Sequence, residues 1–265
     1  AEEVSSYVKS TNNAKYQELC SRIGFDEVNE IARWKEIRSN IFLPEDKKLG
    51  IFLQQEGYLD KEQILVKNLD PKERPINQKW SWDRILRSCF IKQADVLQGL
   101  YFLEDRFDTE TIKRNYEFYE NRTVHESSLS PCVHSVLASR IGNVEKAYEL
   151  YLRTARLDLD DYNNEVKEGL HITSMAGTWI SIVEGFGGMR VRSNMLTFNP
   201  LIPQNWKSFS FKVWFRGNVL KIRVTNSELS LFNEVGSNIT VKIYGKDQLI
   251  PEGGAITIAV QKQVY

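Results

Sequence analysis

The strongest constraint on the fold is a change of hydrophobic period along the chain. Up to about residue 190 the apolar residues recur at helical spacing, and beyond about residue 195 they alternate one in two. In the first stretch Asn143 can cap a helix whose Val144, Ala147, Tyr148, Tyr151, Leu152 and Ala155 fall on one stripe. Before it, Ser130-Pro131 reads as an N-cap with proline in the first turn, and Val133, Val136 and Leu137 face one side until Gly142 ends the helix. A helix capped by Asp108 carries Ile112, Tyr116 and Tyr119 inward, and another covers Phe25 to Ile37. In the second stretch Phe209, Phe211, Val213 and Phe215 alternate with Ser210, Lys212 and Trp214. Gly217-Asn218 supplies a hairpin turn, and Leu220, Ile222 and Val224 resume the alternation. Leu229 and Leu231, then Ile239, Val241 and Ile243, then Ile256, Ile258 and Val260 repeat it, with turns at Gly245 and Gly253-Gly254. The pattern predicts an α+β, mainly α chain, with a helical array or barrel over residues 1–195 and a small antiparallel β-sandwich over 196–265.

The 265 residues, 42% of them hydrophobic, suffice for a sizeable core in one large domain plus a smaller one. Thirty-five basic side chains balance thirty-five acidic ones, so no net field gathers nucleic acid, an anionic membrane surface or a polyanion. No run approaches the roughly 20 apolar residues of a membrane-spanning helix. Cys20, Cys89 and Cys132 are too few for a disulfide framework and form no CxxC pair, which points to reduced thiols and a cytoplasmic location. Ala1 to Ser10 have neither the basic start nor the apolar core of a signal peptide and open without methionine, so Ala1 reads as a cut inside a longer chain. The sequons at Asn121 and Asn238 would matter only in a secreted protein and are discounted.

Three clusters interrupt the packing pattern. Around Trp80, Ser81, Trp82 and Asp83 and the following Lys92-Gln93-Ala94-Asp95, a helical reading puts Cys89, Gln93, Val96, Leu97 and Leu100 on one face, so an amide falls where packing favours hydrocarbon. Two readings stay open. Gln93 satisfies a backbone group while Lys92 snorkels to solvent, or the pair donates to sugar hydroxyls beside a tryptophan ring. The second cluster, Arg122 to Pro131, joins Ser127, Ser128 and Ser130 to the free N–H groups of a helix start; it suits an anion, and it is also ordinary capping chemistry. The third, Gly169 to Trp179, surrounds His171 with small and hydroxyl residues, and the histidine either holds an anion or is a satisfied buried side chain.

Other chemistries lack their spacing. His125, His134 and His171 form no HExxH-like pattern, so no metal site is expected, and His134 reads as core. Gly185 to Gly188 lack both the spacing and the lysine of a phosphate-binding loop and read as a turn ending a helix. Glu104, Asp105, Asp158, Asp160 and Asp161 read as solvated or capping carboxylates at helix ends.

Four ordered blocks, Glu73 to Arg84, Lys92 to Asp95, Thr123 to Ser130 and Gly169 to Ser174, make the chain resemble glycoside hydrolase family 65, most of all its maltose phosphorylase branch. The resemblance runs over nearly the whole chain. It implies the C-terminal part of an (α/α)6 barrel followed by a β-sandwich, with Lys92 and Gln93 binding the glucose under attack and Ser127, Ser128 and His171 at the phosphate site. It further implies a homodimer that needs no cofactor and takes inorganic phosphate as co-substrate, converting maltose and phosphate to glucose and β-glucose 1-phosphate. The family's general acid glutamate, and a Trp-Asp pair that also holds glucose, belong to segments upstream of these blocks, so this chain is expected to carry no general acid and to be inactive alone, with the remaining N-terminal part of the same protein as its partner.

Three alternatives accompany that reading. An inverting α-glucoside hydrolase of the same family would need a carboxylate beside the anion site to activate water, for which Glu126, Glu165 and Glu168 are candidates. Phosphorylases for trehalose, kojibiose or nigerose share the chemistry and differ in the acceptor sugar. A non-catalytic carbohydrate-binding module would explain the aromatics and the β-sandwich alone.

Overall fold

A computed structural model describes residues 1–261, in two compact units, Ala1–Pro44 and the chain from Glu45 onward. The first consists of α1 (Glu2–Thr11), α2 (Asn13–Ile23) and α3 (Glu27–Asn40). Asn12 caps α2 by accepting from Lys15 N, and Asp26 caps α3 by accepting from Asn29 N. Phe25, expected inside a helix, precedes that cap and stacks on Trp34 at 5.5 Å. Tyr16 is the one buried side chain of the three helices, and Val4, Tyr7, Ile23, Val28 and Ile37 are exposed.

The second unit begins with a ribbon of β1 (Glu45–Asp46) and β2 (Ile51–Phe52), then single turns and the short helices α4 (Ile76–Lys79) and α5 (Trp82–Arg87). Its main helices are α6 (Asp95–Phe102), α7 (Thr109–Glu120), α8 (Ser130–Arg140) and α9 (Val144–Ala155), followed by a turn, α10 (Leu157–Asp160), and by α11 (Ile172–Ile180). α11 runs on into a π-helical turn over Ser181–Phe186.

The expected caps hold for α7 and α9, where Asp108 and Asn143 accept from Thr111 N and Lys146 N. α8 departs from expectation. Its cap is Leu129, Ser130 is its first helical residue, and every residue from Ser130 to Ser139 is buried instead of one stripe. Small side chains make this possible, since hydroxyls can be satisfied within the core: Ser135 donates to Ala147 O at 2.8 Å, and Ser174 of α11 donates to Thr154 O at 2.7 Å. Around α8 the core collects Leu97 and Leu100 of α6, Ile112, Tyr116 and Tyr119 of α7, Ala147 of α9 and Phe186. Each such apolar side chain, fully buried, contributes about 1.5–3 kcal/mol. On α9 the deepest residues are Ala147, Leu150 and Thr154, so the buried face is turned from the stripe read in the sequence.

Two four-stranded sheets close the chain. One orders β10 (Ala255–Ala259), β7 (Glu228–Val235), β6 (Asn218–Thr225) and β5 (Ser208–Phe215), all antiparallel. The other orders β3 (Arg190–Arg192), β4 (Met195–Phe198), β8 (Ile239–Ile243) and β9 (Lys246–Ile250), in which β4 and β8 run parallel, against the expectation of an antiparallel sandwich throughout. Leu220, Ile222, Val224, Leu229 and Leu231 from the first sheet meet Leu196, Phe198, Val241, Ile243 and Ile250 from the second in one core. The β5–β6 turn is Arg216-Gly217, with φ of 50° and 81°, and Asn218 already pairs with Phe215, one residue from the turn read in the sequence. Gly188 follows the π-helical turn with φ 56°, and a Cβ there would lie 2.2 Å from Asn199 O, so this position needs glycine where the helices hand over to the sheet.

Candidate functional site

A single parallel bridge brings the first two clusters together. Ile91 N donates to Arg122 O and Val124 N to Ile91 O, each at 2.9 Å, so the chain leaves side by side toward Lys92-Gln93 and toward His125 to Ser128. Lys92 and Gln93 lie in an exposed connection, and α6 starts only at Asp95, whose φ is 33°. The buried amide expected at Gln93 is therefore absent, while Leu97 and Leu100 form the inner face as read. Of the tryptophans, Trp80 is half-buried with the Arg84 guanidinium 3.6 Å from its ring centre, and Trp82 is 75% exposed.

The loop from Thr123 to Leu129 is held at nearly every residue. Thr123 Oγ1 donates to Tyr119 O at 2.8 Å, and Val124 O accepts from Arg74. His125 takes φ 54°, a left-handed conformation uncommon for a residue with a Cβ, and its carbonyl accepts from Arg153 Nη2 at 2.8 Å. Glu126 is buried, accepting from Ile76 N at 2.7 Å and Arg74 Nε at 3.2 Å. Ser127 is buried and accepts from Leu129 N at 3.2 Å, whereas Ser128 reaches out to Thr173 Oγ1 at 2.9 Å.

That last contact carries the second cluster to the third. Thr173 belongs to the first turn of α11, and His171 is its cap residue. Asp158 of α10 binds His171 twice, accepting from its backbone N at 2.9 Å and facing Nδ1 at 2.5 Å; these two bonds hold the Asp158 carboxyl below the usual carboxylate range. His171 Nε2 lies 3.8 Å from Glu165 Oε2. Neither α8 nor α11 has a side-chain cap bond, and although Ile172 N and Ser174 N already donate to Leu170 O and His171 O, the positive ends of two helices accompany the Ser128–Thr173 hydroxyl pair. Chemically, hydroxyls, amide donors and an imidazole steered by a carboxylate suit an oxyanion.

The structure thus joins Ser128 to the His171 segment, turns the Ser127 hydroxyl back onto its own loop, and leaves Lys92 and Gln93 beside the loop without a bond to it. Sequence reasoning missed Thr173 and dismissed Asp158 as a solvated helix-end carboxylate. No ligand spacing joins the histidines in the sequence, yet His125 Nε2 and His134 Nδ1 face Glu120 Oε2 at 3.3 and 2.5 Å, and ligand atoms of the three lie within 4.8 Å of one another. Lys146 Nζ, 3.1 Å from the other Glu120 oxygen, makes this a hydrogen-bonded ion cluster with its own cation.

Residues 4–180 match a glycosyl hydrolase central catalytic domain and residues 189–250 a glycosyl hydrolase C-terminal domain, which defines the class as carbohydrate-processing enzymes. Both domains are those of glycosyl hydrolase family 65, and the chain belongs to that family. It is 49% identical over 215 residues to the maltose phosphorylase of Bacillus subtilis, covering 81% of this chain and 28% of the relative. It is 38% identical over 253 residues to an α,α-trehalose phosphorylase of Thermoanaerobacter brockii, covering 96% of this chain and 33% of the relative. A solved structure from the human microbiome, provisionally assigned as a kojibiose phosphorylase, superposes with a TM-score of 0.87 at 33% identity over 96% of this chain and 35% of that one. The chain spans about a third of the length of the relatives it matches.

Proposed function

We propose that this chain forms the phosphate-side part of an inverting disaccharide phosphorylase, within a cytoplasmic homodimer whose barrel is an (α/α)6 array. The observation that carries the reading is the convergence of the Ser128 and Thr173 hydroxyls, two uncapped helix starts and His171 held by Asp158. Phosphate is already an anion, so attack on the anomeric carbon needs no protein base; it needs donors that hold the anion in line. Ser128 and His171 fill that role together with Ser127, whose hydroxyl accepts from Leu129 N and keeps its own proton to donate, and Asp158 orients the imidazole. With Nδ1 on Asp158, His171 presents Nε2 as the ring atom from which an N–H would donate to a phosphate oxygen. Lys92 and Gln93, exposed beside the loop, donate to glucose hydroxyls. As the phosphate oxygen bonds to the anomeric carbon, the glycosidic bond breaks, and a general acid outside this chain protonates the leaving oxygen.

Maltose is the substrate favoured by the most similar of the named relatives, with trehalose or kojibiose as the acceptor-side alternatives. Proton NMR of maltose incubated with the full-length protein tests the reading. β-Glucose 1-phosphate and glucose should form only when phosphate is present, and His171→Ala should raise the apparent KM for phosphate far more than that for maltose. The nearness of Glu165 to His171 Nε2 favours a second reading, hydrolysis with Glu165 activating water. Glucose released at the same rate without phosphate would establish it and remove the phosphate assignment.

A further inference from the structure

Glu120, the last residue of α7, holds a carboxylate only 12% exposed and touches nothing in the proposed phosphate site. Its oxygens face His134 Nδ1, His125 Nε2 and Lys146 Nζ, so side chains from α8, α9 and the serine loop meet on one anion. We infer that Glu120 is a positioning residue for the anion site, acting through His125 on Ser127 and Ser128; the inference rests on the phosphate reading above. His125 is the hinge of the loop. Its left-handed backbone turns the chain so that Glu126 points inward to Ile76 N and Ser128 points out to Thr173, and a residue with a Cβ keeps that conformation only when its surroundings enforce it. Three contacts enforce it: Ser130 Oγ at 3.0 Å from Nδ1, Arg153 on the carbonyl, and Glu120 on Nε2. The first two bind His125 to the start of α8 and to α9; Glu120 ties its ring to α7, beyond the bond of the Thr123 hydroxyl to Tyr119 O at the loop's entry. His134, edge-on to His125 with ring centres 4.6 Å apart, is held by the same carboxylate oxygen and packs the imidazole from the core side. A buried carboxylate shared by two imidazoles is costly compared with hydrocarbon packing, which fits a role in geometry better than one in stability. Loss of the carboxylate frees the His125 ring, and the two serines lose their aim while the glucose side of the site is untouched.

The test uses the full-length protein and two variants. Glu120→Gln keeps the shape and removes the charge. His125→Asn keeps a side chain that tolerates the left-handed backbone and cannot reach Glu120 and Ser130 together. Inorganic phosphate is titrated calorimetrically, and the KM values for phosphate and maltose are measured. We expect phosphate affinity to fall about tenfold in each variant with the maltose KM within twofold, and the double variant to be no worse than His125→Asn alone. Folded variants with unchanged phosphate affinity overturn the inference, as does a wild-type protein that binds no phosphate, or a loss shared equally by phosphate and maltose. Should Glu120→Gln not fold, His125→Asn carries the same comparison. The calorimetric readout separates the two claims: turnover without phosphate defeats the phosphorylase reading, while a phosphate affinity that still depends on Glu120 upholds the positioning role.

Discussion

Gly177, in the second turn of α11 where it approaches α8, offers a test in which packing and helix propensity pull in opposite directions. A Cβ at this position would sit 2.7 Å from Cys132 Cβ, 2.9 Å from Cys132 Sγ and 3.2 Å from Thr154 Cγ2. In an open helix, glycine to alanine stabilises by about 1 kcal/mol through backbone entropy. Here the nearest atom is a Cβ fixed to a neighbouring buried helix, so α11 and α8 must part, and overpacking of this kind costs about 1–3 kcal/mol. The expected net for Gly177→Ala is a loss of up to about 2 kcal/mol, which at about 2–4 °C per kcal/mol for a domain of this size lowers Tm by up to roughly 8 °C. Thr173 lies one turn before Gly177, so the displacement also carries its hydroxyl off Ser128, now 2.9 Å away, and phosphate binding should weaken along with stability. Gly99 in α6 is the control: a Cβ there meets nothing within 4 Å, and Gly99→Ala should stabilise by about 0.5–1 kcal/mol. Differential scanning calorimetry of the two variants decides the matter. Stabilisation by Gly177→Ala to the extent seen for Gly99→Ala would mean that α8 and α11 are not packed as closely as described, and that the Ser128–Thr173 contact is not set by that packing.

Two further outcomes follow from the charged groups. Burial pushes the His125 imidazole down to about 4 despite the raising effect of Glu120, so the fold favours the neutral ring. Its contribution, about 3 kcal/mol in full, is present above the unfolded value near 6.5 and is lost as pH falls from there toward 4. The Tm difference between wild type and His125→Asn should therefore shrink across that window, and a constant difference would refute the linkage. Asp158→Ala should raise the phosphate KM about as much as His171→Ala, with the double variant no worse than either single one; additive losses would show that Asp158 does not act through His171.

The strands with one wet face were readable from alternation alone, which is why β5, β6, β7, β8 and β10 were found at their sites. β9 escaped notice because Lys246 to Leu249 are polar or exposed and only Ile250 is buried, and β3 and β4 are too short to show a period. α8 misled for the opposite reason: burial on all sides erases the stripe, and serine and alanine look like a solvent face while acting as spacers. The connection before α6 holds neither glycine nor proline, so nothing marked the break at Asp95 that puts Gln93 outside the helix. For the site, residue types and local order pointed to Ser128 and His171. Asp158 stayed hidden because a contact across thirteen residues between separate helices leaves no local pattern, and Glu120 because its partners come from a loop and two helices.

The parallel pairing of β4 with β8 sets an order of events for the growing chain. Thr197 and Phe198 find Lys242 and Ile243 only after the whole β5–β6–β7 meander has been made, and Tyr244 then locks the join through Phe198 O and Pro200 O. Until about residue 244 has left the ribosome, β3 and β4 are a hairpin whose β4 edge is bare, lying directly after the π-helical turn that ends the helices. Contacts this distant in sequence form late and slowly. Completion of the helical part's C-terminal boundary thus waits on β8, and a ribosome stalled in the β5–β7 hairpins leaves an open edge there for chaperones to cover.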